Sequence, residues 1–400
     1  MNSYPVRGRA RGGQRGSVSV MVAVFLVVLL GCAALAIDVA RWVIVRNELQ
    51  NAADAAALAG ARQLPGQLVA AASSTTWSNA ATAATTVANT YAGGNHANGQ
   101  SIVTPQTVVA GYWDVNAANQ PSTVPSSLPQ TIGSPTDKPA VMVTVSLDPT
   151  HGTGLPLLLG RVLGVSSLHA SATAVAIISA PGAAQPGSLF PMALNQCLYS
   201  NSIYWSNGQP VSGAELQMGV GANMPQGSNC QSVAGQWTTL NNTTCGSPDS
   251  TTSVNCLMNN GNSDPLSTTS NANTPCAQQP DSCTFISPGT KAAIYNNFPL
   301  TPPMLVTVPI VADGATNLNG VSTPILGFAS YEIDAVIGAN NNCTGSSSAC
   351  ANASPPCTKC ILGHLVSGIA GGTTAGGTTT SYYGAVTPPT LAGVPSSEWY

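Results

Sequence analysis

SVSVMVAVFLVVLLGCAALAIDVARWVIVRNELQNAADAAALAGARQL, residues 17–64, decides how the chain folds. Its first 21 residues, up to Ile37, carry no charge and are mostly Val, Leu and Ala. About 20 such residues in a helix cross a hydrocarbon layer of about 30 Å. From Ile37 to Ala59 there is no Gly or Pro, and Ala, the strongest helix former, is common. The stretch therefore predicts one helix that spans a membrane and continues beyond it.

Three interpretations compete for the apolar run. LLGC at residues 29–32 is similar to a lipoprotein signal, and ALA at residues 34–36 is similar to an ordinary signal-peptidase site. The run is longer than the roughly 7–15 apolar residues of a signal peptide, which favours an uncut anchor. Four arginines precede it, and only Arg41 and Arg46 follow closely. This asymmetry predicts that residues 1–16 form a basic cytoplasmic tail.

Beyond the apolar run, small side chains recur on one face of the helix. Val45, Leu49, Ala52, Ala56 and Ala59 follow one another at spacings of 4, 3, 4 and 3, which is the helical period. We call these five residues the stripe. Packing on the chain's own domain and packing on a partner helix would both bury it, so the two alternatives stay open. Because small side chains allow two helices to approach closely, the functional prediction is an interface with a partner helix.

The remaining sequence predicts an α+β fold in several parts. Residues 17–64 form the anchor and extended helix, and residues 66–180 form a small extracytoplasmic domain of mixed α and β structure. Alternating apolar residues at 141–147 predict a half-buried strand. APGAAQPGS at residues 180–188 predicts a linker. Residues 189–400 predict a loop-rich, mainly β domain.

Composition limits what the chain can bind. Only 6% of the 400 residues are charged, and residues 162–400 contain no Arg and only Lys291 and Lys359. A surface with so few cations cannot neutralise a row of phosphates, so we predict no nucleic-acid partner. Polar residues 114–138 and 370–400 are expected to be loop or disordered.

The cysteines are unevenly distributed. Cys32 lies in the apolar run, and no other cysteine occurs before residue 197. An oxidising compartment would pair the remaining ten and stabilise a domain with long polar loops. These candidates for disulfide bonds are Cys197, Cys230, Cys245, Cys256, Cys276, Cys283, Cys343, Cys350, Cys357 and Cys360. The spacing Cys357-x-x-Cys360 also occurs in redox and zinc sites, which remain the alternative.

No enzyme motif occurs in the sequence, so we predict no catalytic, cofactor-binding or metal-binding residues and no cofactor. There is no nucleophile elbow, zinc-protease motif or phosphate-binding loop. Glu332 and Asp334 share a face of a predicted strand and are interpreted as solvated, with acid–base chemistry or Ca²⁺ binding as the alternative. His364 is interpreted as a hydrogen-bonded core residue.

Residues 15–64 resemble the N-terminal segment of the TadE/TadG-like Flp (Tad) pilus-assembly proteins. The resemblance rests on Arg-Gly before the apolar run, on the pattern Ala36-x-Asp38-x-x-Arg41, and on LQNAADAAALAG at residues 49–60. It implies a long pilin-like helix, and a membrane-anchored structural or assembly component of a bacterial Tad/Flp (type IVb-like) pilus.

By the same resemblance, the protein is expected in the bacterial inner membrane as a single-pass protein, with a cytoplasmic N-terminus and periplasmic C-terminal domains. The expected partners are other Tad/Flp pilus-assembly membrane proteins or pilins, together with the lipid bilayer, and a role in adhesion at the bacterial surface is implied. The alternative hypothesis is a membrane-tethered extracytoplasmic enzyme or ligand-binding module.

Overall fold

The computed structural model describes most of the chain beyond the first 16 residues. The described residues are 17–70, 74–121, 123–148, 150–151, 154–157, 160–219, 235–242, 244–247, 250–287, 291–312, 320–338, 342–346, 350, 359–376 and 380–393.

The described residues form four α-helices: α1 (Ser17–Ala61), α2 (Ser74–Gly93), α3 (Thr251–Asn260) and α4 (Ala292–Asn296). The 45 residues of α1 make a single rod about 68 Å long, because no Pro interrupts it. Its first part is long and apolar enough to cross a membrane. α3 begins where the Ser250 hydroxyl accepts a hydrogen bond from the Ser253 N–H, and ends at Gly261, whose φ of +70° suits glycine.

The first region combines α1 and α2 with a small antiparallel sheet. Its strands are β1 (His96–Ala97), β2 (Gln100–Ser101), β3 (Thr107–Asp114), β4 (Asp137–Leu147), β5 (Leu155–Pro156), β6 (Ser167–Leu168) and β7 (Ala170–Ile177). β4 is central and pairs with β3 and β7, whereas β1–β2 and β5–β6 are separate hairpins. Residues 76–92, whose sequence has a weak helical pattern, lie in α2, and the strand expected at 141–147 corresponds to β4.

α1 packs against β4 and β7 and along α2, which itself packs on β3. The layers approach closely because alanine and glycine line the contact. A methyl group added at Gly60 would lie 3.0 Å from Val141 Cγ1 and 3.3 Å from the Ala84 carbonyl oxygen. α2 contributes one buried face at helical spacing: Trp77, Ala80, Ala84, Ala88 and Ala92.

The second region is mainly β structure, with α3 and α4 packed beside it. Its strands are β8 (Pro181–Ala184), β9 (Met192–Asn195), β10 (Trp205–Ser206), β11 (Gln209–Pro210), β12 (Leu216–Gly219), β13 (Gly235–Trp237), β14 (Leu266–Ser267), β15 (Cys283–Phe285), β16 (Met304–Val311), β17 (Ser322–Ile337), β18 (Cys343–Gly345), β19 (Cys360–Val366), β20 (Gly368–Ile369), β21 (Thr373–Ala375), β22 (Ala385–Val386) and β23 (Thr390–Ala392).

An eight-stranded sheet organises this region. Its main path runs β12-β19-β17-β16-β9-β13, and β15 and β18 add to the long strand β17. Only β9 and β16 pair in parallel; the other pairs in this sheet, among the described residues, are antiparallel. The core beneath it contains Leu194, Val308, Tyr331 and Ile361, all nearly or fully buried. The α+β fold class is therefore confirmed.

Two segments differ from the sequence-based expectation. Residues 181–184, inside the predicted linker, form β8, which pairs with both β14 and β21. Residues 370–393, expected to be loop or disordered, contain β21, β22 and β23, and Tyr382 is buried in the core of the first region. β23 follows the second region in the chain but pairs with β7, and it is the fourth strand of the first sheet. These short strands, rich in threonine and glycine, show no alternation of apolar and polar residues that would predict them. Their strand conformation is stabilised by pairing with neighbouring strands.

Candidate functional site

α1 has two parts with opposite surroundings. From Val18 to Ile37 nearly every side chain is exposed, and the large apolar ones are 50–75% accessible. At Asp38 the exposed fraction falls to 6%, and at Leu49 it falls to zero. Residues 18–37 therefore form an apolar helix whose surface is not covered by the rest of the chain, and we call them the bare part of α1. The second part of α1 is the central element of a folded domain.

The stripe is buried by the chain itself. Val45, Leu49, Ala52 and Ala56 are 0–3% exposed within the core formed with the first sheet and α2, and Ala59 is half-buried. Of the two alternatives, the structure therefore shows the stripe packed on the chain's own domain. The predicted contact with a partner helix is not accessible at the four buried residues, because β4, β7 and α2 already occupy that face.

Polar contacts fasten the domain to α1 just beyond the bare part. Arg41 donates to the Pro156 carbonyl oxygen at 3.3 Å and to Asn98 Oδ1 at 3.4 Å. The Asn98 N–H donates to Glu48 Oε2 at 2.7 Å. The Arg46 guanidinium lies 5.3 Å from the centre of the Trp42 ring, a cation–π contact. The β1–β2 and β5–β6 hairpins are thereby held beside the helix.

At the far end of the domain, Tyr112 links β3 to the segment after α1. Its hydroxyl donates to the Leu68 carbonyl oxygen at 2.7 Å, and its ring packs edge-on against Trp77 with centres 5.1 Å apart. Burial raises the pKa of Tyr112 to about 12, because the phenolate would lose its hydration. The hydroxyl is therefore a structural donor at neutral pH.

Three disulfide bonds join described cysteines: Cys245–Cys256, Cys276–Cys283 and Cys343–Cys350. Each closes a short loop of the second region. Cys197 and Cys360 are disulfide-bonded as well, whereas Cys230 and Cys357 lie outside the described residues. Cys32 is an exposed free thiol on the bare part of α1.

His364, Asp334 and Glu332 form one polar group on the large sheet. The ring Nδ1 of His364 lies 2.8 Å from Asp334 Oδ2, and its Nε2 lies 3.7 Å from Glu332 Oε2. A β-bulge at Asp334 brings both carboxylates to the histidine, which lies directly opposite Glu332 in the register. His364 is thus hydrogen-bonded but only half-buried, at the rim of the core rather than within it.

Two clefts of the second region are lined by described residues. One of about 570 Å³ is lined by polar and apolar residues around the Cys276–Cys283 bond, including Asn241, Asp264 and Asp281. Another of about 400 Å³ is lined mostly by Gly, Ala, Ser and Thr. Among the residues that the structure describes, no three His, Cys, Asp or Glu side chains are grouped so that they could hold a metal ion.

Sequence reasoning missed the contacts between Arg41, Asn98 and Pro156. These residues are far apart in the chain, and only the docking of two hairpins on α1 brings them together. A partial signal existed, since Asn98-Gly99 is typical of a tight hairpin turn.

Comparison with protein families covers the first region. Residues 16–63 match the family described as putative Flp pilus-assembly TadE/G-like, and residues 59–176 match that described as putative Tad-like Flp pilus-assembly. The two matches together span α1, α2 and strands β1 to β7 up to residue 176. Comparisons with curated proteins and with solved structures found no match.

Proposed function

We propose that this chain, which belongs to the Tad/Flp pilus-assembly family through residues 16–176, is a membrane-anchored structural component of a bacterial Tad/Flp pilus system. In this proposal the bare part of α1 crosses the inner membrane once. The 16-residue basic tail stays in the cytoplasm, and both folded regions lie in the periplasm.

The continuity of α1 is the observation that carries the proposal. One unbroken helix is fully bare over about 20 apolar residues and then becomes the centre of a domain core. An exposed apolar cylinder of this length is costly in water and stable in a bilayer. A signal peptide removed after Ala36 would leave a domain that begins at its own central helix, which is why an uncut anchor suits the fold better.

The disulfide bonds support a periplasmic second region. Structural disulfide bonds persist in oxidising compartments, and the described ones all lie on the far side of the apolar run. We extend this to all ten cysteines beyond residue 190 and propose that Cys230 and Cys357 are paired too. The arginine asymmetry around the apolar run supports the same orientation.

A structural role accords better with the folded regions than a catalytic one. The family matches cover α1, α2 and the first sheet up to residue 176, and the only histidine–carboxylate group of the described second region is a half-buried cluster on two inner strands of the large sheet. We propose that partner proteins of the pilus machine contact the bare part of α1 and exposed surfaces of the two regions. The stripe has a different role, which is to lock the first domain onto its anchor.

Gene deletion and complementation in the native host test this function. Deletion should abolish Flp pili in electron micrographs, and the intact gene should restore them. A Val27→Arg/Leu30→Arg variant places two charges in the apolar run. This variant should no longer be found in the membrane fraction and should fail to restore pili. Val43→Arg/Ile44→Arg is the matched control, because it places the same two charges at exposed α1 residues beyond the run.

Two results would refute the proposal. Normal pili after deletion would remove the assembly role. A mature membrane-extracted chain that begins at Cys32 or Ile37, found by intact-mass or N-terminal analysis, would remove the anchor.

A further inference from the structure

We propose that the end of the first domain nearest the bare part of α1 is a lipid-binding surface that rests on the phospholipid headgroups of the membrane that α1 crosses. We call this surface the proximal rim and define it by Tyr91, Val103, Arg161, Val165 and Leu168. The inference rests on the proposed anchor and adds a second, peripheral contact with the same bilayer.

The height of the domain above the bilayer carries the argument. The apolar run ends at Ile37, and the next residue, Asp38, is already only 6% exposed because the domain covers it. A helix rises about 1.5 Å per residue, so Arg41 lies only about 6 Å beyond the end of the run. The headgroup layer on each side of the hydrocarbon is about 5–8 Å thick. The domain therefore begins within the headgroup layer and not above it.

The elements at this height follow from the direction of each strand and helix. The far end of the domain is marked by Gly60, which packs against Val141 near the start of β4. β4 then runs back toward the bare part of α1 and ends at Leu147, opposite the start of β7. α2 runs the same way and ends at Gly93, and the β1–β2 hairpin is fixed to Arg41 through Asn98. The proximal rim consists of these ends and of the β5–β6 hairpin, whose Pro156 also contacts Arg41.

The rim is apolar where a surface in water would be polar. Tyr91, Val103, Val165 and Leu168 are 54%, 46%, 47% and 40% exposed. Outside α1 the described residues include only ten exposed large apolar side chains, and these four belong to the end of α2, the segment before β3 and the β5–β6 hairpin. Tyrosine and aliphatic side chains partition well into the headgroup region, because one part of the layer is wet and the other is apolar.

The charges at the rim favour an anionic lipid layer. The sequence beyond Ile37 contains four arginines, of which Arg41, Arg46 and Arg161 belong to this end of the domain. Three carboxylates lie at the same end but are less accessible than Arg161: Asp38 is 6% exposed, and Glu48 and Asp148 are half-buried. Arg161 is exposed, and basic side chains near such a surface each add about 1 kcal/mol of attraction to anionic lipids. A phosphatidylglycerol headgroup supplies the complementary charge.

Spin-label depth measurements on the full chain test the proposal. Cys32→Ala removes the free thiol, and a nitroxide is then attached at Val165→Cys, Ile132→Cys or Leu29→Cys in separate samples. Ile132 is the matched control, because it is 47% exposed like Val165 but lies in the β3–β4 loop at the opposite end of the sheet. Each protein is reconstituted into vesicles of phosphatidylethanolamine and phosphatidylglycerol, and collision rates with oxygen and with a water-soluble nickel chelate are compared.

We expect the oxygen-to-nickel ratio at residue 165 to exceed that at residue 132 at least threefold, and residue 29 to be the deepest. In vesicles of phosphatidylcholine alone the ratio at residue 165 should fall at least twofold. Equal ratios at residues 165 and 132, with residue 29 deep, would overturn the lipid-binding rim and leave the anchor intact. A water-exposed label at residue 29 would overturn the anchor and the rim together. An unchanged ratio in phosphatidylcholine would overturn the assignment to an anionic layer.

Discussion

The two regions of the protein are stabilised in different ways. In the first, a helix lies on a sheet with alanine and glycine at the contact, and no cysteine occurs between Ala33 and Gln196. In the second, long polar segments connect the strands, and disulfide bonds close short loops beside the sheet. Close packing of small residues suffices where two layers are continuous and regular. Covalent links are needed where much of the chain buries little apolar surface.

The largest expected effect comes from a charge inside the helix–sheet contact. Ala56→Glu places a carboxylate at a site that is 0% exposed in the core that α1 forms with the first sheet and α2, so the first region should lose more than about 4 kcal/mol of stability. Chemical denaturation in detergent micelles, monitored by hydrogen exchange of β4 amides, measures the loss.

Asn51→Glu is the control for this helix variant, because Asn51 is an exposed residue of the same helix. It should change stability by less than about 0.5 kcal/mol. Similar losses for the two variants would show that α1 is not the centre of a tightly packed core.

Removal of one disulfide bond should have the next largest effect, and it should be confined to the second region. Replacing Cys245 and Cys256 together with serine should cost about 2–3 kcal/mol, because the unfolded chain regains the freedom of an 11-residue loop. Hydrogen exchange should accelerate around α3 and leave residues 140–147 unchanged. Cys32→Ser is the control; it removes only an exposed thiol and should leave hydrogen exchange unchanged in both regions. Equal acceleration of exchange in both regions after removal of the disulfide bond would show that the bond does not stabilise the second region alone.

A smaller effect is expected from Tyr112, and it depends on pH. The folded-state pKa is about 12 and the unfolded value is about 10, so the protonated hydroxyl stabilises the fold below pH 10 and this contribution is lost as the pH rises toward 12. Tyr112→Phe should cost about 1–2 kcal/mol at neutral pH, because the Leu68 carbonyl loses its donor.

The difference in the free energy of unfolding between Tyr112→Phe and the wild type should decrease between about pH 10 and pH 12. Denaturation curves across that range measure it. Tyr91→Phe, at an exposed position, is the control and should leave neutral-pH stability unchanged. A Tyr112→Phe difference that stays constant across the range would contradict the structural role of the buried hydroxyl.

The smallest expected effect concerns the polar group of the second region. Asp334→Asn removes the charge beside His364, but both side chains are about 25–30% exposed. Partly exposed pairs contribute little, so the loss should be at most about 1 kcal/mol. A thermal denaturation curve measures it, and a loss above about 3 kcal/mol would show that this group, and not the disulfide bonds, organises the sheet.

The sequence predicted the parts of the fold that local pattern controls. The helix from residue 17 to about 61, α2 and β4 each carry their own period, and the family resemblance over residues 15–64 is confirmed. The partner for the stripe was not predictable, because a buried alanine face looks the same whether its neighbour belongs to the same chain or to another. β8 and β23 were missed for a related reason, since short Gly-, Ala- and Thr-rich strands are defined by their neighbours and not by their own residues.

Because β23 belongs to the first sheet, that sheet can be completed only late in the synthesis of the chain. Thr390 lies opposite Ile177, so the edge of β7 waits for some two hundred later residues before it is paired. At synthesis rates of roughly 5–20 residues per second, the wait is on the order of ten to forty seconds. During this interval the sheet presents an open edge, the kind of surface to which a neighbouring extended chain adheres. The first sheet is therefore complete only after residue 392 has been synthesised, and a ribosome that stops before this residue releases a chain whose first sheet has an uncapped side.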